Sequence, residues 1–172
     1  LFIFSHLAAA QTTLIHAGQL LAVPGERPLR DRTVVVEGDR IVEVRAGFAA
    51  AADFGNDVTI IDLRDAFVLP GLMDMHVHLQ GELGPNRDRD TLKMSRQLMQ
   101  MRSLMYAMRT LEAGFTTVRD MGGNAFGVQK ALDAGVFPGP RIYVSGPPVS
   151  QTSGHGDFRT ANDGHPYFDG RV

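Results

Sequence analysis

The most informative segment of the chain reads Val68-Leu69-Pro70-Gly71-Leu72-Met73-Asp74-Met75-His76-Val77-His78. Because a β-strand points alternate side chains to opposite faces, one face of this segment carries Leu72, Asp74, His76 and His78. The other face is wholly apolar and suits the helix-covered outside of a parallel sheet; it carries Met73, Met75, Val77 and Leu79. An Asp and two His facing an interior would be costly to bury without a partner.

Two neutral imidazoles at positions i and i+2 of a strand can converge on one divalent cation, with Zn–N distances of about 2.0–2.1 Å. A bare His-x-His is a weak motif, and two histidines facing water would be its ordinary interpretation. The context favours metal binding, because the motif ends a strand and barrel enzymes place catalysis at the carboxyl ends of their strands. We therefore predict that His76 and His78 are metal ligands. For Asp74, orientation of the ligands from behind and simple core packing both stay open.

Downstream of Pro70-Gly71, strand, loop and helix alternate, which is typical of a parallel α/β architecture. After a first strand at 72–78 we predict a helix at 90–112 with Asp90 as N-cap, a strand at 115–119, a helix at 124–134 and a strand at 141–145. Residues at steps of three and four predict the face of the long helix that packs on the sheet: Met94, Leu98, Met101, Met105 and Met108.

Upstream, short strands with turn residues between them predict a small β-sandwich or ribbon. Thr33–Glu37 and Arg40–Val44 flank Gly38-Asp39, which indicates a hairpin, and Val58–Leu63 indicates a further strand. The stretch at 46–55 is expected to be a loop or a short helical turn.

The first ten residues run from an apolar stretch into small residues, with Ala8 and Ala10 at the positions of an A-x-A cleavage site. This resembles the end of a signal peptide and predicts a secreted or periplasmic protein; a buried N-terminal strand is the alternative. The predicted organisation is a signal peptide remnant at 1–10, part of a β-sandwich domain at 11–66 and the beginning of a barrel at 67–172.

Composition narrows the possible functions. The 172 residues are 44% hydrophobic and carry a formal net charge of -2, which gives no attraction to nucleic acid. The chain contains no cysteine, so disulfides, thiolate metal sites and a cysteine nucleophile are excluded. No apolar segment reaches the roughly 18 residues of a membrane-spanning helix. A complete (β/α)8 barrel takes roughly 250 residues, so we expect a fragment.

The segment at 68–78 resembles the signature of the amidohydrolase superfamily, and Ala113–Asp120 resembles the second barrel strand of that family. Pro140–Gly146 and Ser153–Asp157 resemble its imidazolonepropionase-related and Xaa-Pro dipeptidase-like branch. The resemblance implies an α/β fold: the first three βα units of a TIM (β/α)8 barrel, preceded by part of a small β-sandwich.

The resemblance also implies a binuclear site in which two divalent ions, usually Zn²⁺, share a hydroxide that attacks the carbonyl carbon of an amide or related C–N bond. His76 and His78 would hold one ion. The remaining ligands of the family are a lysine, two more histidines and an aspartate that shuttles the proton; none lies in this chain, so we assign no catalytic residue. His155, between two glycines, is predicted to contact substrate, with a solvated loop histidine as the alternative. Asp120 is expected to cap the turn that follows it, with a place in the lining of the site as the alternative.

Three hypotheses remain open at this point. The first is a metal-dependent amidohydrolase acting on a dipeptide or similar small amide. The second keeps the fold but opens a cyclic amide or deaminates its substrate. The third is a truncated, non-catalytic protein that serves in binding or scaffolding, which predicts a stop codon directly after Val172. A homo-oligomer is compatible with all three.

Overall fold

The computed structural model describes residues 11–81, 94–152 and 154, so the predicted signal peptide remnant lies outside the described residues. The chain divides into two compact units, Leu1–Pro70 and Gly71–Val172. Each unit has a sheet of its own. In the described ranges, no helix combines the length and the apolar character that crossing a membrane requires.

The first unit is built on a four-stranded mixed sheet with the order β3-β2-β1-β4. Its strands are β1 (Thr12–Leu20), β2 (Leu29–Glu37), β3 (Arg40–Ala46) and β4 (Val58–Val68). β2 and β3 pair antiparallel around Gly38-Asp39, which confirms the predicted hairpin. β2 begins earlier than the pattern indicated because β1 pairs with it as far as Leu29. One turn of 3-10 helix, Ala51–Asp53, lies in the predicted loop.

Gly18 lies where the parallel strands β1 and β4 approach each other. Their register shifts between Ala17 and Gln19, so β4 carries extra residues at this point. A Cβ atom on residue 18 would lie 1.8 Å from the backbone oxygen of Arg64. Only a residue without a side chain fits such an approach of two backbones.

Asp62 and Arg64 form an exposed ion pair on β4. The Arg64 guanidinium donates to both carboxylate oxygens of Asp62 and lowers the pKa of that carboxyl from 3.8 to about 2. Because the pKa is lowered in the folded state, the pair stabilises that state at pH values above the ordinary pKa of 3.8. This contribution is lost as the pH falls toward about 2. We expect an NMR titration of Asp62 to show this low midpoint. Arg64→Gln should return it toward 3.8; an unchanged midpoint would contradict the pairing.

The second unit is a three-stranded parallel sheet with helices in both connections, in the order β5-β6-β7. Its elements are β5 (Leu72–Val77), α1 (Arg96–Glu112), β6 (Phe115–Asp120), α2 (Phe126–Asp133) and β7 (Arg141–Val144). The predicted alternation of strand and helix is therefore confirmed. Position 71, just before β5, requires a glycine, because a Cβ there would lie 2.2 Å from the Thr116 side chain.

The long helix begins later than predicted. Residue 95 is extended, and its hydroxyl accepts a hydrogen bond from the backbone N–H of Leu98, so the N-cap of α1 is Ser95 rather than Asp90. Asp90 itself lies outside the described residues. Gly114, with φ +92, follows the helix as expected.

The packing face of α1 also differs from the predicted one. Leu98, Met101 and Met105 are exposed, and Met101 is 70% accessible. The fully buried positions are Met99, Ser103 and Ala107, which follow one another at steps of four. The prediction was wrong because it counted only large apolar residues. Small residues let the helix approach the core, and the Ser103 hydroxyl donates to the Met99 carbonyl oxygen at 2.9 Å.

Candidate metal centre

His76 and His78 lie at the carboxyl end of β5, the first strand of the parallel sheet. Their ring centroids are 5.3 Å apart and the ring planes meet at 73°. Both side chains are exposed, while Val77 and Leu79 pack into the core formed with α1, α2 and the other strands. The alternation predicted for this end of the strand therefore holds, and it brings the two imidazoles together. We call these two residues the His pair.

The amino-terminal half of β5 departs from the prediction. The pairing of β5 with β6 shifts register between Asp74 and Val77, so β5 contains one extra residue, a β-bulge, in the stretch that holds Met75 and His76. Met73 and Met75 are exposed, at 69% and 43%, rather than covered by helices. Strict alternation assumes a regular ladder, and the bulge breaks that ladder.

Two side chains bind the backbone of the bulge. The Asp74 carboxylate accepts a hydrogen bond from the backbone N–H of His76 at 2.9 Å. The guanidinium Nε of Arg119, on β6, donates to the Met75 carbonyl oxygen at 2.7 Å. These contacts give partners to peptide groups that face the interrupted part of the ladder.

Further contacts hold the backbone on both sides of His78. The Met121 N–H donates to the Val77 carbonyl oxygen at 2.9 Å, and the Leu79 N–H donates to Oδ1 of Asp120 at 3.1 Å. Asp120 is fully buried. Asp120 therefore caps the end of the neighbouring strand, β5. The sequence had suggested instead that it would cap the turn that follows it.

Burial raises the pKa of Asp120 above its ordinary value, against the opposing effects of the Leu79 hydrogen bond and of nearby His78. Among the residues that the structure describes, none forms a hydrogen bond with the buried Oδ2 of Asp120 or with the buried Nε2 of Gln80. Both side chains lie against Gly123, where a Cβ would meet Oε1 of Gln80 at 2.9 Å and Oδ2 of Asp120 at 3.5 Å. Buried polar atoms and a glycine thus lie just beyond the His pair.

The imidazole nitrogens of the His pair are donor atoms that bind divalent metal ions. Two imidazoles at this spacing can reach one ion, and neutral imidazole binds Zn²⁺ and several other transition metals. A closed protein site needs more ligands than these two. Among the residues with described positions, no His, Asp or Glu joins the His pair to make a group of three. The described residues therefore fit one side of a metal site.

The two other predicted site residues are Asp74 and His155. Asp74 contacts the backbone of His76 and not an imidazole. His155 lies outside the described residues, so its predicted contact with substrate stays a prediction. Arg119 was missed by the sequence reasoning. The available signal was an arginine on the face of β6 opposite the buried Val118, one residue before Asp120.

The comparison with protein families agrees with this architecture. Residues 67–170 match the model of the amidohydrolase family, and the chain belongs to that family. This confirms the resemblance noted for the strand-end motif.

Individual relatives support the same assignment. The ochratoxinase of Aspergillus niger is 34% identical over 153 residues, which cover 87% of this chain and 31% of the relative. The crystal structure of a Xaa-Pro dipeptidase with bound methionine superposes with a TM-score of 0.75 at 35% identity, over 86% of this chain and 36% of that one. The dihydroorotase of Bacillus licheniformis is 34% identical over 108 residues, covering 63% of this chain and 21% of the relative.

These similarities confirm the predicted Xaa-Pro dipeptidase-like branch of the family. The chain spans about a third of the length of the ochratoxinase and of the dipeptidase.

Proposed function

We propose that this chain supplies the first part of a metal-dependent hydrolase that cleaves an amide or other C–N bond of a small substrate. The observation that carries the proposal is the His pair, two imidazoles 5.3 Å apart at the carboxyl end of a parallel strand. Enzymes built on parallel βα units place their active sites at this end of the sheet. His76 and His78 would bind the first divalent ion, which we expect to be zinc.

The three parallel strands are, in this proposal, the first three of a (β/α)8 barrel. A parallel sheet is normally buried on both faces, yet apolar side chains of this one are exposed: Leu72, Met73, Met75 and Tyr143. Such side chains suit a barrel interior and its lower layers. The mixed sheet of the first unit also exposes apolar side chains, among them Ile41, Ile60 and Phe67. Because a second sheet would cover them, we propose that this sheet is part of a β-sandwich.

When bound, a divalent ion lowers the pKa of a water molecule toward about 7 and polarises a carbonyl group. The chain's own residues orient the ligands for that chemistry. Asp74 accepts the His76 N–H, and we propose that it orients His76 from behind the site. Substrate contact by His155 is part of the proposal and rests on the glycines that flank it in the sequence.

We propose a dipeptide or similar amide as substrate, because two of the similar proteins are named Xaa-Pro dipeptidase and ochratoxinase. Cyclic-amide hydrolysis or deamination is the second candidate, favoured by the similarity to a dihydroorotase and to adenine deaminases. The Leu1–Ala10 segment supports export to the periplasm or the medium.

The proposal is tested on the protein that contains this chain. The purified protein is stripped of metal by a chelator and assayed, before and after addition of Zn²⁺, with an Xaa-Pro dipeptide, an N-acyl amino acid, dihydroorotate and adenine. We expect no turnover without metal, recovery with metal, and hydrolysis of one of the two linear amides. Recovery only on dihydroorotate or adenine would favour the second candidate. Full activity of the stripped protein would refute the metal-dependent mechanism.

A further inference from the structure

The last two residues of β6 and the residue that follows them hold the backbone of the His pair. Arg119 binds the carbonyl oxygen of Met75, before His76, at 2.7 Å. Met121 binds the carbonyl oxygen of Val77, between the two histidines, at 2.9 Å. Asp120 accepts the N–H of Leu79, after His78, at 3.1 Å. Every second residue along the motif, Met75, Val77 and Leu79, therefore has a backbone group that is hydrogen-bonded to the same short segment of the neighbouring strand.

A regular parallel ladder would supply such contacts from backbone groups alone. Here the bulge between Asp74 and Val77 interrupts the ladder, and β5 ends at Val77. Two of the three contacts therefore come from side chains, those of Arg119 and Asp120. A bulge re-aims the side chains next to it, so the groups that fix its shape also fix the direction of the two imidazoles.

We infer that Arg119 and Asp120 are positioning residues of the metal site: through Met75 and Leu79 they set the spacing and the angle of the His pair. The inference rests on the proposed function, because it assumes that His76 and His78 bind a metal ion. Neither residue touches that ion in this assignment. Arg119 acts on the peptide that precedes the first ligand, and Asp120 acts on the peptide that follows the second.

The two residues differ in how they serve the fold itself. Arg119 is exposed, so its replacement removes a hydrogen bond to Met75 without opening a cavity. Asp120 is fully buried, and an apolar replacement would leave the Leu79 N–H without its acceptor. Asn at position 120 keeps a side-chain oxygen where Oδ1 lies, so it separates the role of the acceptor from that of the charge.

The test measures metal binding and not turnover. The protein that contains this chain is loaded with Co²⁺, and visible absorption gives both the affinity and the ligand geometry of the site. Arg119→Gln is expected to weaken Co²⁺ binding about 10-fold or more and to change the spectrum, since loss of an outer partner of a ligand typically costs 10–100-fold. Asp120→Leu should act in the same direction, and Asp120→Asn should restore the wild-type spectrum.

Arg141→Gln is the matched control. Arg141 is also an exposed arginine of this sheet, but it lies at the amino-terminal end of β7, away from the His pair. The Arg141→Gln variant should bind Co²⁺ as the wild type does. Far-UV circular dichroism checks folding; if Asp120→Leu does not fold, Arg119→Gln decides alone. Wild-type affinity and spectrum for Arg119→Gln would overturn the inference.

The His76→Asn, His78→Asn double variant separates this inference from the proposed function. If the double variant loses the Co²⁺ spectrum while Arg119→Gln keeps it, only the positioning role fails. If the double variant keeps the spectrum, the metal-binding proposal itself fails.

Discussion

His76→Asn and His78→Asn are each expected to lose the divalent ion and to lower kcat/KM by at least about 100-fold, because even the loss of an outer partner of a ligand costs 10–100-fold. The two rings share one face at the strand end with centroids 5.3 Å apart, so neither can substitute for the other. Both side chains are exposed, and their replacement should leave the folding of the sheet unchanged. Metal content by mass spectrometry and activity after Zn²⁺ addition are the measurements.

His16 provides the contrasting control. It is buried on β1, its Nε2 lies 3.0 Å from the Ala49 carbonyl oxygen, and its ring packs against Phe48 at 5.4 Å. His16→Gln should lower the Tm while the metal content stays at the wild-type value. A His76→Asn protein that retains a full complement of metal would remove the basis of the proposed site.

Gly18→Ala is expected to have the largest effect on stability, on the order of 4 kcal/mol or more, the range in which single substitutions become exceptional. The new Cβ would lie 1.8 Å from the Arg64 oxygen and 2.8 Å from the Arg64 carbonyl carbon. Both atoms belong to backbone, so no side-chain rotation relieves the clash. β1 is flanked by β2 and β4, and its displacement would disturb both pairings. We expect loss of soluble protein or a strongly lowered Tm.

Gly127→Ala is the matched control for that experiment. Gly127 lies in the first turn of α2, and the nearest atom to its added Cβ would be Oε1 of Gln100 at an ordinary 3.7 Å. Alanine is favoured over glycine by roughly 0.5–1 kcal/mol in a helix interior and by less in the first turn, so this variant should be neutral or slightly more stable. Equal Tm values for Gly18→Ala and the wild type would mean that β1 and β4 do not approach as described.

Local patterns in the sequence predicted most of the secondary structure. The hairpin at Gly38-Asp39 and the alternation of strand and helix after Pro70 depend on turn residues and on periodicity, which are properties of neighbouring residues. The His pair could be predicted for the same reason, because residues i and i+2 of a strand share a face.

The features that the sequence did not reveal depend on contacts between distant segments. The bulge in β5 arises from its register with β6, about forty residues later, so strict alternation failed at Met73 and Met75. The buried face of α1 could not be found by counting large residues, since small Ser103 and Ala107 lie against the core. The sequence marked Arg119 only as an arginine on the face of β6 opposite Val118, because its role is visible only when the Met75 carbonyl oxygen lies beside it.

The contacts that hold the His pair come from a single β-α-β connection, and the contact from Arg119 to Met75 spans 44 residues. The support of the His pair is therefore self-contained along the polypeptide. Loops elsewhere can lengthen, shorten or change composition without moving the two imidazoles. Natural variation or directed evolution can in this way alter which substrate is accepted while the strand end that we propose to bind metal is inherited unchanged.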